Sequence, residues 1–182
     1  MNSGIIIRGI SAKDIAALGD FFTALVGDAE SVQFFHPHPF TREFARELCV
    51  RAAIRRDRYY VACFEDRVIG YMMLRGWDEG YTVPSFGVCN HPALRDVGLG
   101  QALLAHAVRE SRLAGALQLR LTVFKNNERA VHVYRKFGFL FHDKNEQELV
   151  GLLDLADCPA IPLRPLDLAK IQAWFESQAR AA

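Results

Sequence analysis

The chain has 182 residues, of which 51% are hydrophobic and 24% charged, and its formal net charge is +1 at pH 7. This length accommodates one domain with a substantial core, so we expect residues 1–182 to form a single domain. The balanced charge provides no general attraction to nucleic acid or to an anionic membrane, and we expect neither as a partner.

The positions of the cysteines and histidines bear on metals and on the cellular compartment. The four cysteines lie far apart without a C-x-x-C pair, and neither they nor the histidines show the spacing of metal ligands. The apolar run at residues 5–7 is too short for a signal peptide or a membrane-spanning helix. We therefore expect a cytoplasmic protein that binds no metal.

The N-terminal third predicts one strand and two helices. The β-branched run at residues 5–7 is typical of a buried strand. Ser11 and Asp14 resemble a capping box ahead of an apolar-periodic helix. Residues 27–40 break the helical periodicity and contain two prolines, and a second helix is predicted to start near Thr41.

The rest of the chain predicts alternating strands and helices. Residues 59–64 and 68–74 predict two strands joined by a hairpin turn, and a further strand at residues 82–89 is interrupted by Pro84 and Gly87. The later elements are a helix at 99–113, a strand at 117–124, a helix at 127–136, strands at 139–142 and 149–155, and a helix at 166–178 within an extension of about residues 159–182. This order predicts an α/β fold in which helices cover a mixed sheet.

A glycine-bearing turn joins the strand at 82–89 to the helix at 99–113. It has the pattern R-x-x-G-x-G, formed by Arg95, Gly98 and Gly100. Glycines let the backbone approach an anion closely, and the first turn of a helix presents unpaired N–H groups at the positive end of its dipole. The pattern indicates a pyrophosphate site, but a turn that only connects two elements has the same pattern. A Rossmann fingerprint and a Walker loop are both missing from the sequence.

A second pattern follows the strand at 117–124. Asn127 suits a helix N-cap, Tyr134 lies two turns later on the same face, and Gly138 can end the helix. A lone tyrosine at such a position also serves as a packing residue, so its interpretation depends on the first pattern.

Together the two patterns resemble the GNAT acetyltransferase superfamily, in which R-x-x-G-x-G is followed by N-x-x-A-x-x-x-Y-x-x-x-G-F. The motifs span about residues 86–141, and the order of elements extends the resemblance over most of the chain. The matching positions are Arg95, Gly98, Gly100, Asn127, Ala130, Tyr134, Gly138 and Phe139. The resemblance implies two parallel strands that splay apart and hold the pantetheine arm of acetyl-CoA between them.

The resemblance also implies roles for individual residues. Backbone groups around Val88 and Asn90 would pair with the pantetheine amides, and Asn127 would contact that arm or orient its helix. Tyr134 would protonate the departing thiolate as general acid, and a backbone N–H near Val88 would stabilise the oxyanion. Arg95 would contact the pyrophosphate or brace the loop, and the pyrophosphate would be bound by the amides of Asp96, Val97, Gly98, Leu99, Gly100 and Gln101.

One feature departs from the family's pattern. Asp96 and Val97 stand where the family often has a glycine and a basic residue. A carboxylate beside a pyrophosphate is unfavourable unless Arg95 pairs with it or it points to solvent. We therefore expect Asp96 to weaken the binding of coenzyme A in the absence of such a partner.

The general base is open at this point. Glu79 and Asp78 precede the strand at 82–89, and either can act through a water relay. His36 and His38 lie in a region that usually lines the acceptor side in this family, and histidine titrates near neutrality. The same two residues can instead belong to an aromatic, proline-stiffened loop that packs on the core.

The acceptor is expected to be a small-molecule amine with ring character, because aromatic residues are frequent at 34–40 and at 77–81. Three hypotheses are compatible with the sequence: an N-acetyltransferase, a non-catalytic acyl-CoA-binding or sensor domain of the same fold, and an unrelated α/β nucleotide-binding enzyme. Relatives are often homodimers, and Trp174 and Phe175 can pack on the chain's own core or on such a partner.

Overall fold

A computed structural model of the chain describes residues 4–35, 37–158 and 163–181. Within these ranges the chain forms a seven-stranded mixed sheet with helices on both faces, which confirms the predicted fold class. The strands are β1 (Ile5–Gly9), β2 (Arg58–Phe64), β3 (Arg67–Arg75), β4 (Ser85–Asn90), β5 (Gln118–Phe124), β6 (Leu140–Asp143) and β7 (Glu148–Asp154). The α-helices are α1 (Ile15–Val26), α2 (Ala29–Phe34), α3 (Arg42–Arg51), α4 (Leu99–Leu113), α5 (Glu128–Lys136) and α6 (Leu168–Ala181).

Local signals explain where several of these elements begin and end. The Thr41 hydroxyl accepts a hydrogen bond from the backbone N–H of Phe44 at the start of α3, as its N-cap position predicts. Gly115, with φ +78°, follows the end of α4. The β2–β3 hairpin is confirmed, with Glu65 at φ 53° in its turn.

Two sequence predictions are wrong in detail. Residues 27–40 were expected to be irregular, but α2 forms there because the Asp28 carboxylate accepts a hydrogen bond of 2.7 Å from the backbone N–H of Ser31. The strand expected at 82–89 begins only at Ser85, because Pro84 lacks an N–H for the sheet.

The sheet order is β1-β2-β3-β4-β5-β7-β6, and all neighbouring strands are antiparallel except β4 and β5. Because successive side chains of a strand point to opposite faces, the sheet has a hydrophobic core on each face. One face packs under α4, α5 and α6, and the other packs under α1 and α3. In β3, for example, Met72 and Leu74 face the first core, whereas Tyr71 and Met73 face the second.

The parallel strands β4 and β5 pair only at their beginnings. The register holds for Ser85 with Arg120 and for Phe86 with Leu121, and the described strands make no further pair beyond these positions. The two strands therefore diverge toward their carboxyl ends, which confirms the splay implied by the family resemblance.

The C-terminal helix packs on the chain's own core. Ile171 is fully buried, the Trp174 ring lies 4.6 Å from the His91 ring, and the Phe175 ring lies 5.5 Å from that of Phe64. Trp174 and Phe175 were expected to pack on the chain's own core or on a partner, and the structure shows them on the chain's own core. Among the described residues, no helix is both long and apolar enough to cross a membrane.

Candidate active site

A cavity of about 1150 Å³ occupies the gap between β4 and β5. Its wall includes Tyr134 and Ala130 from the α5 face of the sheet, and Phe34 and Met73 from the opposite face. The cavity therefore reaches both faces of the sheet, which allows two reactants to meet from opposite sides.

The backbone of β4 presents alternate residues to the gap. The N–H of His91 donates to the Ile69 carbonyl on the β3 side, whereas the Pro84 carbonyl accepts from Arg120 on the β5 side, each at 2.9 Å. Because strand hydrogen-bonding directions alternate, the even-numbered residues of β4 point toward β5. Val88 and Asn90 lie where β5 has already diverged, so their backbone groups face the cavity.

Nine of the ten positions predicted to contact the cofactor line this cavity, namely Val88, Asn90, Arg95, Asp96, Gly98, Leu99, Gly100, Gln101 and Asn127. The tenth, Val97, does not line it, because its side chain is fully buried beneath the loop. The structure thus brings together residues separated by up to 39 positions in sequence (88 to 127).

The loop before α4 leaves the first-turn amides of that helix available. Gly98 has φ +85° and occupies the N-cap, where no side chain caps the helix. The N–H groups of the next three residues have no acceptor within the helix, and the helix dipole is positive there. A Cβ on Gly98 would lie 3.0 Å from the carbonyl oxygens of Arg164 and Pro165, so the loop and the C-terminal segment fit closely only with glycine.

The side chain of Asn90 provides an unsatisfied hydrogen-bond acceptor in this wall. Its Oδ1 atom is buried and has no hydrogen-bond partner among the described residues. A Cβ on Gly100 would come within 3.1 Å of the Asn90 Nδ2 atom, so the side chain lies directly beside the first turn of α4. An N–H donor from a ligand would satisfy the orphaned oxygen, and pantetheine carries such donors.

Arg95 braces the loop. Its guanidinium forms an ion pair with Asp28 at the start of α2 and donates to the Ser31 hydroxyl at 3.2 Å. The hydrogen bond from Arg95 lowers the pKa of Asp28 to about 2, so this carboxylate is ionised at neutral pH. Of the two roles expected for Arg95, the structure shows the bracing contact between α2 and the loop.

Asp96 has a partner that the sequence did not indicate. Its Oδ2 accepts a hydrogen bond of 3.0 Å from Arg129, which also donates to Glu30 at 2.6 Å. The expected partner was Arg95, which is engaged by Asp28 instead. Arg129 therefore offsets the unfavourable charge of Asp96 at the edge of the cavity.

Tyr134 lies in the wall with its ring held on both sides. The ring centroids of Phe86 and Phe139 are 6.4 Å and 5.7 Å away. Burial raises the pKa of Tyr134 above that of a solvated phenol, so the hydroxyl stays protonated at neutral pH. Asn127 orients the same helix, because its Oδ1 accepts a hydrogen bond of 3.2 Å from the N–H of Ala130.

Cys89 also lines the cavity, but its environment opposes a nucleophilic role. Burial raises the pKa of its thiol well above the usual range, which disfavours the thiolate.

The three residues proposed for the acceptor side have different placements. Glu79 lines the cavity and forms an ion pair of 3.7 Å with Arg75. His38 does not line it: its Nε2 lies 3.1 Å from the Tyr71 hydroxyl, and its ring contacts phenylalanines that include Phe22 and Phe44. His36 lies outside the described residues. The structure thus places His38 in the aromatic packing that was the alternative interpretation.

Sequence reasoning missed four arginines of the wall, Arg75, Arg120, Arg129 and Arg164. Arg120 lies at an ordinary strand position, and Arg164 follows a proline-rich stretch without a motif. Their placement depends on contacts between distant parts of the chain, so no local sequence pattern predicts it. The described residues contain no group of three or more His, Cys, Asp or Glu side chains able to hold a metal ion.

Comparison with known proteins agrees with this geometry. Residues 26–139 match the model of the acetyltransferase (GNAT) family. The L-amino acid N-acetyltransferase AaaT of Escherichia coli is 26% identical over 140 residues, which cover 75% of this chain and 83% of that relative.

Two solved structures share the fold. The acetyltransferase yncA of Salmonella typhimurium, solved with acetyl-CoA, has a TM-score of 0.67 at 20% identity over 88% of this chain and 98% of its own. The paia N-acetyltransferase of Thermoplasma acidophilum, solved with coenzyme A, has a TM-score of 0.67 at 19% identity, covering 83% and 99% respectively.

Proposed function

The chain belongs to the acetyltransferase (GNAT) family, and we propose that it transfers the acetyl group of acetyl-CoA directly to a primary amine of a small molecule. It is an acyltransferase by family, and the amine acceptor is our proposal. The observation that carries the proposal is the divergence of β4 and β5, which opens a cavity to both faces of the sheet. Thioester and amine can therefore meet in one ternary complex, and no enzyme nucleophile is required.

The end of the cavity beside α4 fits the diphosphate of coenzyme A. The first-turn amides of α4 offer hydrogen bonds and a positive dipole end, and no side chain of the described residues caps them. The backbone groups of Val88 and Asn90 and the unsatisfied Asn90 Oδ1 suit the amides of the pantetheine arm. When bound, acetyl-CoA supplies the activated acetyl group.

Two groups of the chain act on the charge that develops during transfer. The N–H of Val88 points into the gap, where it can donate to the oxygen of the attacked carbonyl. Tyr134 holds a proton that it can give to the leaving sulfur. Val88 lies in β4 and Tyr134 in α5, so regular secondary structure positions both groups.

Deprotonation of the amine requires a carboxylate or water on the acceptor side. Glu79 and Glu148 both line this part of the cavity. Glu79 is half-exposed, which leaves room for a water molecule between it and the ammonium group. We assign the base to Glu79 acting through water, with Glu148 as the competing carboxylate.

The acceptor side also has an apolar wall, formed by Phe34, Phe35, Pro37, Met73 and Tyr81. Such a wall suits a small molecule with an apolar or aromatic side chain. The similarity to a relative named for L-amino acids supports an acceptor of this size.

A thiol-release assay with acetyl-CoA and a panel of small primary amines tests the proposal. We expect coenzyme A release that depends on the amine, together with the N-acetylated product by mass spectrometry. The Glu79→Gln and Glu148→Gln variants identify the base, because the true base shifts the pH dependence of the rate and the other leaves it unchanged. Binding of acetyl-CoA without any amine-dependent release would indicate an acyl-CoA sensor instead.

A further inference from the structure

Six cationic side chains of the described residues line the cavity, and four of them have a carboxylate partner. The four neutralised pairs are Arg75 with Glu79, Arg95 with Asp28, Arg129 with Asp96, and Lys144 with Glu148. Arg120 and Arg164 have no carboxylate within 4.0 Å among the residues that the structure describes. These two guanidinium groups are therefore the sites in the wall where a ligand anion finds an uncompensated charge.

The two free charges belong to different parts of the cavity. Arg164 lies beside the loop that precedes α4, because its backbone N–H donates a hydrogen bond of 3.0 Å to the Gln101 side chain. We therefore assign its charge to the proposed diphosphate site of acetyl-CoA. Arg120 lies on β5 at the last positions that still pair with β4, where the gap begins.

Strand alternation puts Arg120 on the acceptor side. Leu119 and Leu121 are buried in the core under α4 and α5. Arg120 and Thr122 project from the opposite face, which the packing of α1 and α3 leaves uncovered, and both line the cavity. The acceptor must approach from this face, since the α4 face is used by the cofactor.

The Arg120 side chain makes few contacts that stabilise the fold. Among the residues that the structure describes, its guanidinium makes a single side-chain hydrogen bond, of 3.4 Å from Nη1 to the neutral Ser85 hydroxyl. A half-buried guanidinium without a counter-charge is unfavourable unless an anion arrives. The guanidinium presents paired N–H groups that match the two oxygens of a carboxylate.

We propose that Arg120 binds the carboxylate of the acceptor, and that the acceptor is an α-amino acid with an apolar or aromatic side chain. This inference rests on the proposed acetyl transfer to a small amine. Arg120 lies only one position before the strands separate, so its ligand lies next to the backbone of Gly87 and Val88. An α-amino acid suits this short separation, because its amine and carboxylate share one carbon atom.

Matched pairs of amines test the inference. L-phenylalanine is compared with phenethylamine, and L-leucine with isoamylamine, since each pair differs only by the carboxylate. We expect kcat/KM to be about 100-fold higher for the amino acid of each pair. Arg120→Gln should remove about 10- to 100-fold of this preference by raising KM for the amino acid, and its effect on kcat/KM for the neutral amine should be much smaller.

The control is Arg109→Gln, an exposed arginine of α4 that lies outside the cavity, and it should leave both values unchanged. Thermal unfolding and the Kd for coenzyme A verify that Arg120→Gln folds and binds. Arg120→Lys, which keeps the charge without the planar fork, should retain part of the preference. If Arg120→Gln does not fold, the preference for the amino acid over the neutral amine is measured with Arg120→Lys instead.

Calorimetric titration of L-phenylalanine into the complex with coenzyme A gives a readout without turnover, and we expect binding that Arg120→Gln weakens at least about 10-fold. Equal rates for the two members of each pair, or equal losses for both in Arg120→Gln, would overturn the carboxylate site while acetyl transfer stands. Failure of every amine, charged or neutral, would instead overturn the proposed function.

Discussion

The side-chain oxygen of Gln101 accepts a hydrogen bond of 3.0 Å from the backbone N–H of Arg164. This contact joins the first turn of α4 to the segment that precedes α6. Two more bonds of 3.0 Å support it: the N–H of Asp167 donates to the Val97 carbonyl, and the Lys170 ammonium donates to the Arg95 carbonyl. The C-terminal segment thus holds the glycine loop in place, although it lies beyond the residues matched by the family model.

This arrangement places Arg164 in the cavity wall beside the proposed diphosphate site. We expect Arg164→Ala to weaken the affinity for coenzyme A about three- to tenfold, because an exposed cation beside a phosphate contributes modestly. Calorimetric titration at low and at high salt measures the effect, which should shrink as salt increases. Arg180→Ala, at an exposed position of α6, is the matched control, and equal affinities for all three proteins would contradict the prediction.

Gly98→Val should abolish coenzyme A binding. Valine is strained at φ +85°, and its Cβ would meet two carbonyl oxygens of the C-terminal segment at 3.0 Å. Gly115→Val is the control, since Gly115 has φ +78° with open space around the Cβ position. Both variants should lose stability in thermal unfolding, but only the first should fail in a coenzyme A titration. Normal affinity of a folded Gly98→Val protein would place the phosphates elsewhere.

Sequence reasoning succeeded where a local chemical signal exists. The helix predicted at 99–113 has the bounds Leu99–Leu113, because apolar periodicity and Gly115 both act within a few residues. The divergence of β4 and β5 was accessible through the family resemblance. Nine of the ten expected cofactor positions line one cavity for the same reason.

It failed where the stabilising partner is distant in the chain. The six-residue helix α2 has no full apolar period, and its local N-cap Asp28 is itself held by an arginine 67 positions away. Arg164 reaches the loop through a residue 63 positions away. Such pairs are specified by the tertiary fold, so a reading of short windows does not reveal them.

Arg129 should support coenzyme A binding because it neutralises the Asp96 carboxylate. Without its guanidinium, the Asp96 carboxylate faces the proposed diphosphate site uncompensated, and Glu30 keeps only its ion pair of 3.6 Å with Arg95, so Arg129→Ala should weaken coenzyme A binding about three- to tenfold. Adding Asp96→Asn should restore much of the affinity, since asparagine tolerates φ 62°. Lys136→Ala on the same helix serves as control. A double variant as weak as Arg129→Ala would show that Asp96 does not act on the ligand.

His38 should make stability depend on pH. Burial lowers its pKa to about 4 from an unfolded value of 6.5. The unfolded chain therefore binds the proton more readily, and the stabilising contribution is complete above pH 6.5 and is lost as pH falls toward about 4. The full loss is up to about 3 kcal/mol.

Urea unfolding between about pH 7 and pH 4.5 measures this dependence. His38→Gln should flatten the decline, although His91 and His106, whose pKa values burial also lowers, keep part of it. His132→Gln, at an exposed position of α5, should leave the decline as in the parent protein. The same decline in His38→Gln would show that the buried ring is not responsible.

Tyr134→Phe should reduce turnover without reducing affinity. Phenylalanine keeps the ring contacts with Phe86 and Phe139, so the wall of the cavity is preserved. The variant lacks only the proton donor for the leaving sulfur, and loss of a general acid costs about 100-fold or more in kcat. Steady-state kinetics with a good amine acceptor and a coenzyme A titration give the two values separately. Unchanged kcat would leave Tyr134 with a packing role alone, whereas a parallel loss of kcat and affinity would show that the hydroxyl binds the cofactor.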